Sequence, residues 1–501
     1  MEALSYLAMG LSTALQPTNL FYCFLGVFCG TLIGVLPGIG PVGAIALLLP
    51  VTFHVPPVAA IIMFCGIMYG AQYGGSTTSI LVNIPGEASS IMTCLDGYQM
   101  ARQGRAGPAL GIAAFASFIA GTGSILGLVF LAPALAEYCL SFGPSEFFAL
   151  MVFGLTTLIY LAQGSMAKAV MMALLGLMLA CVGIDVVSAY PRFVYGILTL
   201  RDGLGLVPIV IGLFGASEIL ITLEKGVKRT IFETKIKGLL PNLQDWKDSI
   251  FPIIRSSIVG FFLGIIPGMS VVIPTFVAYS LEKKLSKHPE KFGTGIIEGV
   301  AAPESANNAA SSGTMIPLLS LGIPCGGASA LILGAMMIFG VVPGPLLIQQ
   351  SPEMFWGVIR SLYVGNAMLL LLNLPLIGLW VRTLKTPYPI LFTLIILFCI
   401  IGSYTVDNSL TDMLMMIIFG CVGYLLKKFK YEMAPLVLGL VLGPIMETKF
   451  RTAMVMSHGS ISIFFRRPIT AVLLGVAMLV LISPLFTKKR LAEKILKEAE
   501  E

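Results

Sequence analysis

Two clusters of small polar residues interrupt otherwise apolar stretches of this chain. One spans Tyr69–Ser79 and the other Glu304–Thr314, and both are rich in hydroxyl and amide side chains. Such stretches supply hydroxyl, amide and backbone N–H groups that can bind an anion, while free carbonyl oxygens can coordinate a cation. The alternative is that serine and threonine only bond back to their own helix. Because two matching clusters occur, a binding site is favoured.

The predicted substrate-binding residues come from these clusters and from proline-glycine motifs that flank them. They are Pro37, Gly38, Tyr73, Gly74, Gly75, Ser76, Thr77, Asn83, Pro267, Gly268, Asn307, Asn308, Ser311 and Ser312.

Three acidic residues beside the clusters and two neutral oxygen donors are the candidates for coupling to a cation. They are Glu87, Glu298, Glu304, Asn307 and Asn308. An ionisable group inside a membrane is costly to bury and therefore indicates a function. Sodium and a proton both fit, and the sequence leaves the ligands of a sodium ion open. In the alternative interpretation, Glu298 is an ordinary charge at a helix start, and the two asparagines only cap a broken helix.

No motif for an enzyme or a cofactor accompanies these clusters. Gly38–Gly43 matches the dinucleotide pattern G-x-G-x-x-G, but it follows an apolar run and no βαβ unit surrounds it. There is no Walker A sequence and no nucleophile-elbow motif, and the three histidines lack metal-ligand spacing. The nine cysteines form no Cys-x-x-Cys pair. We therefore predict no enzyme, no catalytic residue and no cofactor beyond a coupling ion.

The elements that must position the clusters are helices broken inside the membrane. The segments Gly30–Gly38 and Gly260–Gly268 are versions of one another, and each carries glycine at every fourth position before a proline-glycine pair. Spacing by four puts the glycines on one helix face, where they favour close helix packing. Proline followed by glycine stops a helix. Paired breaks at matching places in two halves are typical of secondary transporters.

Composition places these elements in a membrane. Of 501 residues, 57% are hydrophobic and 11% are charged, and the mean hydropathy is +0.93. Soluble domains carry about 25% charged residues. Apolar runs recur along the chain, and several are long enough to cross a bilayer. We predict an all-α polytopic membrane protein whose net charge of +6 reflects topology and not binding of nucleic acid.

The charges of equivalent loops suggest that the two halves are inverted repeats. His54–Pro57 has no lysine or arginine, whereas its counterpart Lys283–Lys291 is basic. After the second motif the bias reverses, because Arg102 and Arg105 correspond to the uncharged Val342–Pro345. Short basic loops stay on the cytoplasmic side. Two inverted-topology repeats with broken helices or re-entrant hairpins are therefore predicted, working either as an elevator or by rocking.

The predicted division of the chain follows the same charges. We expect a first membrane repeat over 1–222, a cytoplasmic linker over 223–250, a second repeat with extra C-terminal spans over 251–487, and a cytoplasmic tail over 488–501. The segment before Leu20 has no basic residue and should face outside. Asp96, Arg102 and Arg105 are interpreted as part of an interfacial amphipathic helix. The three tryptophans are interpreted as interfacial anchors.

The long motifs give the chain a close resemblance to the large membrane subunit of the tripartite tricarboxylate transporters, the TctA type. The matching segments are Gly34–Pro41, Tyr69–Thr78, Asn83–Ser90, Asp96–Ala101, Pro303–Ala309 and Gly322–Pro324. In one detail the two halves differ, because Cys325 stands in the place of Gly86.

The resemblance implies a carrier in the bacterial inner membrane, with its N-terminus periplasmic and its C-terminus cytoplasmic as the charges suggest. It implies a small membrane subunit of the TctB type and a periplasmic solute-binding protein of the TctC type as partners. It also implies cation-coupled uptake of a di- or tricarboxylate such as citrate. Whether the carrier is a homo-oligomer is left open.

Other functions fit the sequence less well. Another organic anion, such as an aromatic carboxylate, is the alternative substrate. A channel would need a continuous polar lining, and the two localised clusters argue against one. An intramembrane enzyme would need a catalytic constellation, and none is visible in the sequence.

Overall fold

The protein is almost entirely helical. The structure is a computed structural model that describes residues 2–36, 39–161, 165–185, 187–225, 238–384 and 388–483. In chain order the α-helices are α1 Glu2–Ala14, α2 Pro17–Gly34, α3 Gly40–Leu48, α4 Pro57–Val82, α5 Ile91–Arg102, α6 Ala106–Cys139, α7 Pro144–Leu161, α8 Met166–Leu179, α9 Leu206–Val210, α10 Ser217–Lys225, α11 Leu243–Ile265, α12 Val272–Leu285, α13 Glu298–Leu321, α14 Gly327–Ile338, α15 Leu347–Gln350, α16 Pro352–Asn373, α17 Ile377–Leu384, α18 Tyr388–Asp407, α19 Leu410–Lys428, α20 Ala434–Met456, α21 Ile463–Arg466 and α22 Pro468–Ser483.

Shorter elements connect these helices. A π-helical segment, Ile211–Ala216, joins α9 to α10. The described 3₁₀ turns are Leu49–His54, Ala88–Ser90, Leu198–Asp202 and Pro289–Lys291. Two short antiparallel strands, β1 Gly183–Ile184 and β2 Pro191–Arg192, pair Gly183 with Arg192 and Ile184 with Pro191.

Seven helices within the described ranges are long and apolar enough to cross a membrane. They are Pro17–Gly34, Pro57–Val82, Ala106–Cys139, Leu206–Glu224, Leu243–Ile265, Pro352–Asn373 and Leu410–Lys428. The prediction of an all-α polytopic membrane protein is confirmed. The inversion of the repeats and the elevator motion stay predictions.

The chain forms two compact units. Unit 1 comprises Met1–Leu140 and Gly205–Phe429, and unit 2 comprises Ser141–Leu204 and Lys430–Glu501. Both polar clusters belong to unit 1. The predicted repeat boundaries stay a prediction, since residues 226–237 of the predicted linker and the whole predicted tail lie outside the described residues.

In the first half of the chain, α2 and α4 pack with their backbones in close contact. A Cβ atom added to Gly34 would lie 2.2 Å from the carbonyl oxygen of Ala71, and one added to Gly74 would lie 2.3 Å from that of Thr31. Such approach requires small residues at the interface. The glycine spacing in α2 therefore serves helix packing, as predicted.

In the second half, α11 and α13 repeat this arrangement. A Cβ atom on Gly264 would lie 2.4 Å from the carbonyl oxygen of Ala310, and one on Gly260 would lie 2.5 Å from that of Ala306. Each half thus contains a broken helix tightly joined to a long buried helix.

The proline-glycine motifs do end helices. Helix α11 stops at Ile265, and α12 starts at Val272 after Gly268 and Ser270, which have φ values of +86° and +54°. In the first half α2 ends at Gly34, and α3 begins at Gly40. Proline cannot continue the hydrogen bonds of a helix, and glycine tolerates positive φ.

The long helices also end alike. Asn83 after α4 and Gly322 after α13 both adopt the left-handed conformation, with φ values of +59° and +70°. The segment that follows α13 folds back against its own half, since the Ser270 N–H donates to the carbonyl oxygen of Cys325 at 3.2 Å. Cys325 is fully buried there, so the second hairpin accommodates a cysteine where the first has glycine.

Two tryptophans are buried, which contradicts their interpretation as interfacial anchors. Trp380 is 0% exposed, donates its Nε1 hydrogen to the Leu372 carbonyl oxygen at 3.2 Å and packs on Phe28. Trp356 is 5% exposed and stacks on Tyr6. The interior of the helical bundle holds these rings because their large apolar area is best buried there.

Ion pairs hold unit 2 together around the β1–β2 hairpin. Arg451 Nη1 lies 2.9 Å from a carboxylate oxygen of Asp185, and Arg192 Nη1 lies 2.8 Å from Glu447. Asp185 and Arg192 are thus in structural ion pairs. A third pair joins Arg467 to Glu146 at the start of α7.

Candidate functional site

The two polar clusters lie on α4 and α13 and meet where these helices cross. The Tyr69 hydroxyl lies 2.7 Å from Ser312 Oγ, and Gln72 Nε2 donates to Ser311 Oγ at 2.6 Å. All four side chains are buried. We call this region the polar crossing, formed by residues 69–76 of α4 and 304–312 of α13. The two clusters are thus in contact, and it stays a prediction that Tyr73–Ser79 and Glu304–Ser312 face each other across one substrate cavity.

Glu304 is the charged group at the polar crossing. Its carboxylate accepts hydrogen bonds from Ser76 of α4 at 2.8 Å, from Thr93 of α5 at 2.5 Å and from Ser117 of α6 at 3.3 Å. The residue is 2% exposed, and in the described part of the chain no lysine, arginine or histidine pairs with it. Hydroxyl donors from three helices therefore offset part of the cost of burying this acid.

Glu87 brings a second carboxyl group to the same place. Its Oε1 accepts from the Ser89 hydroxyl and from Asn307 Nδ2, the latter at 3.4 Å. Gly75 of α4 leaves room for it, because a Cβ atom there would lie 2.9 Å from Glu87 Cγ. Glu87 thus links the segment after α4, which contains Pro85 and Gly86, to α13.

Three amide oxygens at the polar crossing have no hydrogen-bond partner among the described residues. They are Gln72 Oε1, Asn307 Oδ1 and Asn308 Oδ1. These residues are at most 1% exposed. A buried polar atom without a partner costs about 1–3 kcal/mol and calls for an explanation. Amide oxygens are donors that hard cations prefer.

The serines at the polar crossing have two kinds of contact. Ser311 Oγ donates to the Asn307 carbonyl oxygen at 3.0 Å, and Ser312 Oγ donates to that of Asn308 at 3.4 Å. Both hydroxyls also contact α4. Bonding back to the helix, which the sequence offered as the alternative, therefore occurs together with contacts between the clusters.

A small cavity reaches Glu304 from the side of α6 and α16. Tyr73, Thr77 and Asn373 line it together with Glu304, and it has room for about one water molecule. The Tyr73 hydroxyl donates to Asn366 Oδ1 at 3.2 Å. This cavity is a place where a water molecule or proton can meet the carboxylate.

Several predicted residues take no part in the contacts between α4 and α13 described above. Asn83 is exposed at the end of α4, and Gly74 faces α2. Pro267 and Gly268 form the break after α11, and Glu298 is the first residue of α13. Pro37 and Gly38 lie outside the described residues. None of these placements tests a role in substrate binding.

Asp96 is buried inside the protein, so its side chain does not face a membrane surface as was expected from the sequence. It is 0% exposed on α5, and its carboxylate accepts from the Tyr279 hydroxyl at 2.8 Å and from the N–H groups of Gly293, Gly295 and Ile296 at 2.9, 2.8 and 3.1 Å. A carboxylate with this many donors is stable when buried. Asp96 thereby fixes the segment that leads into α13.

Three further residues at the site had no predicted role: Gln72, Thr93 and Ser117. Gln72 lies inside the first cluster, so its amide group was a signal for inclusion in the site. Thr93 and Ser117 lie on α5 and α6, and only the folded arrangement brings their hydroxyls to Glu304.

Comparison with known proteins gives one family and two relatives. Residues 20–438 match the family described as "Tripartite tricarboxylate transporter TctA family". The chain is 49% identical over 478 residues, or 95% of each chain, to an "uncharacterized 52.8 kDa protein in TAR-I ttuC' 3'region" of Agrobacterium vitis. It is 48% identical over 231 residues to an "uncharacterized protein in TAR-II ttuC' 3'region" of the same organism, covering 46% of this chain and 96% of the relative. No solved structure matches the chain.

Proposed function

The chain belongs to the tripartite tricarboxylate transporter TctA family, and on this premise we propose that it carries a di- or tricarboxylate such as citrate into the cell by cation-coupled uptake. As a member of that family it is a multi-pass membrane component of a tricarboxylate transporter. The substrate, the coupling and the dependence on a binding protein are the proposal.

The observation that carries this proposal is the polar crossing itself. Hydroxyl and amide groups from α4 and α13 meet inside the protein, and Glu87, which directly follows Pro85 and Gly86, contacts Asn307 there. Buried polar groups next to broken helices are the usual setting of a transporter's binding site. Donor groups of this kind can bind carboxylate oxygens without a permanent positive charge.

The two acids explain why a cation should accompany the substrate. Glu87 and Glu304 lie together at the polar crossing, and each, when ionised, would repel a carboxylate at close range. Binding of sodium or a proton removes that repulsion. Substrate and cation should therefore bind together, which is what coupling of uptake to a gradient requires.

We propose the inner membrane as the location and two partners for the carrier. A small membrane subunit of the TctB type and a periplasmic binding protein of the TctC type would complete the complex, in keeping with the word "tripartite" in the family's description. The N-terminus would be periplasmic and the C-terminus cytoplasmic. Access would alternate between the two sides by an elevator or a rocking motion.

Uptake into proteoliposomes that contain all three subunits tests the proposal. Radiolabelled citrate, shorter dicarboxylates and an aromatic carboxylate are offered under imposed sodium or proton gradients. We expect saturable uptake of a di- or tricarboxylate that depends on a gradient and on the binding protein. Uptake of none of these, or uptake of the aromatic compound alone, would contradict the proposed substrate class.

A further inference from the structure

Three buried amide side chains at the polar crossing share one feature, an oxygen atom without a hydrogen-bond partner among the described residues. Gln72 is 1%, Asn307 1% and Asn308 0% exposed, so bulk water does not reach their side chains. Each keeps an oxygen with no partner among the described residues while its nitrogen is bonded. The same kind of atom is unsatisfied in all three side chains.

The orientation of two of these amides follows from their partners. Asn307 Nδ2 faces the Glu87 carboxylate at 3.4 Å, and Asn308 Nδ2 faces the Glu304 backbone carbonyl oxygen at 3.2 Å. An ionised carboxylate and a backbone carbonyl oxygen only accept hydrogen bonds, so each amide presents its nitrogen to its partner. The unpartnered atom of each amide is therefore its oxygen. This oxygen can accept a hydrogen bond or coordinate a cation.

The three amide residues lie on the parts of α4 and α13 that contact each other. Asn307 and Asn308 stand between Glu304 and Ser311 on α13, and these two residues bond to Ser76 and Gln72 of α4. Gln72 belongs to α4 and contacts Ser311, one turn beyond Asn307. The three amides consequently occupy neighbouring positions at the contact between the two helices.

The charge at this contact suits a monovalent ion. Glu304 already accepts from three hydroxyls, whereas Glu87 Oε1 accepts from Ser89 and directly from Asn307. One carboxylate with neutral amide oxygens favours a hard cation of low charge. Calcium sites usually offer more carboxylates, and magnesium usually retains several waters and binds through carboxylates and phosphates.

We propose that Gln72, Asn307 and Asn308, with the carboxylate of Glu87, form a binding site for one dehydrated sodium ion. This inference rests on the proposed function, because the ion bound here would be the coupling ion. It assigns the sodium ligands and adds Gln72, which separates the sodium site from the hydroxyl-bound carboxyl group of Glu304.

Sodium binding can be measured without substrate or partner subunits. The purified full-length protein in detergent is heated in increasing NaCl, with KCl or choline chloride keeping the ionic strength constant. A ligand that binds only the folded state raises the unfolding temperature in a saturable way. We expect sodium, but not potassium or choline, to do so.

Variants locate the site. Gln72→Ala and Asn307→Ala should weaken the apparent sodium affinity roughly tenfold or more, as loss of a ligand-shell group does. Asn19→Ala is the matched control, since Asn19 is also buried but its amide donates to the Thr13 carbonyl oxygen away from the polar crossing. Asn307→Asp keeps the shape and one oxygen, and it should retain sodium binding and gain affinity for Ca²⁺.

The results separate this inference from the proposed function. Stabilisation by sodium no greater than by potassium overturns the site, even if proteoliposomes transport citrate with a proton gradient. Sodium affinity unchanged in a folded Gln72→Ala or Asn307→Ala protein also overturns it. Should an alanine variant fail to fold, loss of sodium binding in Asn307→Asp overturns the site instead. Sodium-specific stabilisation without carboxylate uptake would leave the site standing and contradict the function.

Discussion

At the scale of single residues, Glu304 is the group whose chemistry is most constrained. Hydroxyl donors from α4, α5 and α6 converge on it, and no described cation pairs with it. Serine and threonine hydroxyls can rotate to donate to a carboxylate or accept from a carboxylic acid. This environment tolerates both protonation states, which an arginine or lysine partner would not.

We expect Glu304→Gln to reduce gradient-driven uptake roughly tenfold or more, equivalent to about 1.4 kcal/mol in the coupled step. The glutamine keeps the size of the side chain but cannot change its charge with the gradient. Docking of the binding protein should change much less, because Glu304 is buried. Uptake and binding-protein affinity are measured on the same preparations.

Glu353→Gln is the control for that variant, since Glu353 is exposed in the first turn of α16. If Glu304→Gln reaches the membrane at normal levels and transports with the rate and cation dependence of the wild type, Glu304 has no part in coupling.

Sequence alone could identify Glu304 and place Ser76 in the same site, but it could not identify the other two hydroxyl donors. Its position beside two asparagines in an apolar stretch was enough to mark it. Thr93 and Ser117 could not be found this way, because only tertiary packing brings them within reach. Asp96 was misinterpreted for the same reason, since its N–H donors at residues 293–296 lie in the other half of the chain.

At the scale of elements, the tight contact of α2 with α4 requires glycine at the positions where the two backbones meet. Proline-glycine motifs and glycine spacing predicted where the helices break and which face packs. They could not predict how close the backbones come, since that depends on which helix lies opposite.

Gly74→Ala should destabilise the protein by about 1–3 kcal/mol, the usual cost of overpacking. The added methyl group would meet the Thr31 carbonyl oxygen at 2.3 Å, and a backbone atom cannot move aside cheaply. Thermal unfolding in detergent measures the change. Gly123→Ala on α6 is the matched control, because a Cβ atom there meets nothing within 4 Å. Equal stability of both variants would contradict the packing described.

The β1–β2 hairpin depends on an acid outside the membrane-spanning helices. The Val187 N–H and the Ser188 hydroxyl donate to Asp185, and with Arg451 they hold the pKa of that carboxyl well below its usual range. A lowered pKa means that the ionised form stabilises the fold. This contribution is complete above the ordinary pKa of about 3.9 and is lost as the pH falls toward the folded-state value.

Asp185→Asn should therefore lower the unfolding temperature at pH 7 and at pH 5 by similar amounts. The difference from the wild type should shrink as the pH falls below about 4. Intrinsic fluorescence during heating at a series of pH values measures this. Asp202→Asn, at an exposed position in the same connection, should have little effect at any pH. If the difference in unfolding temperature between Asp185→Asn and the wild type grew on acidification, the pKa of Asp185 would not be lowered in the folded protein.

At the scale of the whole molecule, topology remains the main prediction from charge. Composition and apolar runs were sufficient to predict a helical membrane protein, because the bilayer permits few alternatives. They were not sufficient to predict the division into two compact units, which brings Ser141–Leu204 together with the C-terminal helices.

We expect the N-terminus outside and the C-terminus inside, because basic residues concentrate in the predicted linker and tail. Ser5→Cys should react with an impermeant thiol reagent in intact cells, and Lys489→Cys only after the membrane is opened. The exposed native Cys421 is first replaced by serine. Reaction of both positions from the same side would defeat the assignment.

The burial of α13 bears on how the protein is made. Every residue of this 24-residue helix after Glu298 is buried, yet α13 is not among the seven described helices apolar enough to span a membrane by composition. Its Glu304 and asparagines would be costly in lipid, whereas the hydroxyl groups that bond to Glu304 all precede it in the chain. The first half is therefore synthesised before the helix that needs it, and it offers α13 a polar surface to fold against as that helix leaves the ribosome. The second half therefore inserts into the membrane by packing α13 against the first half.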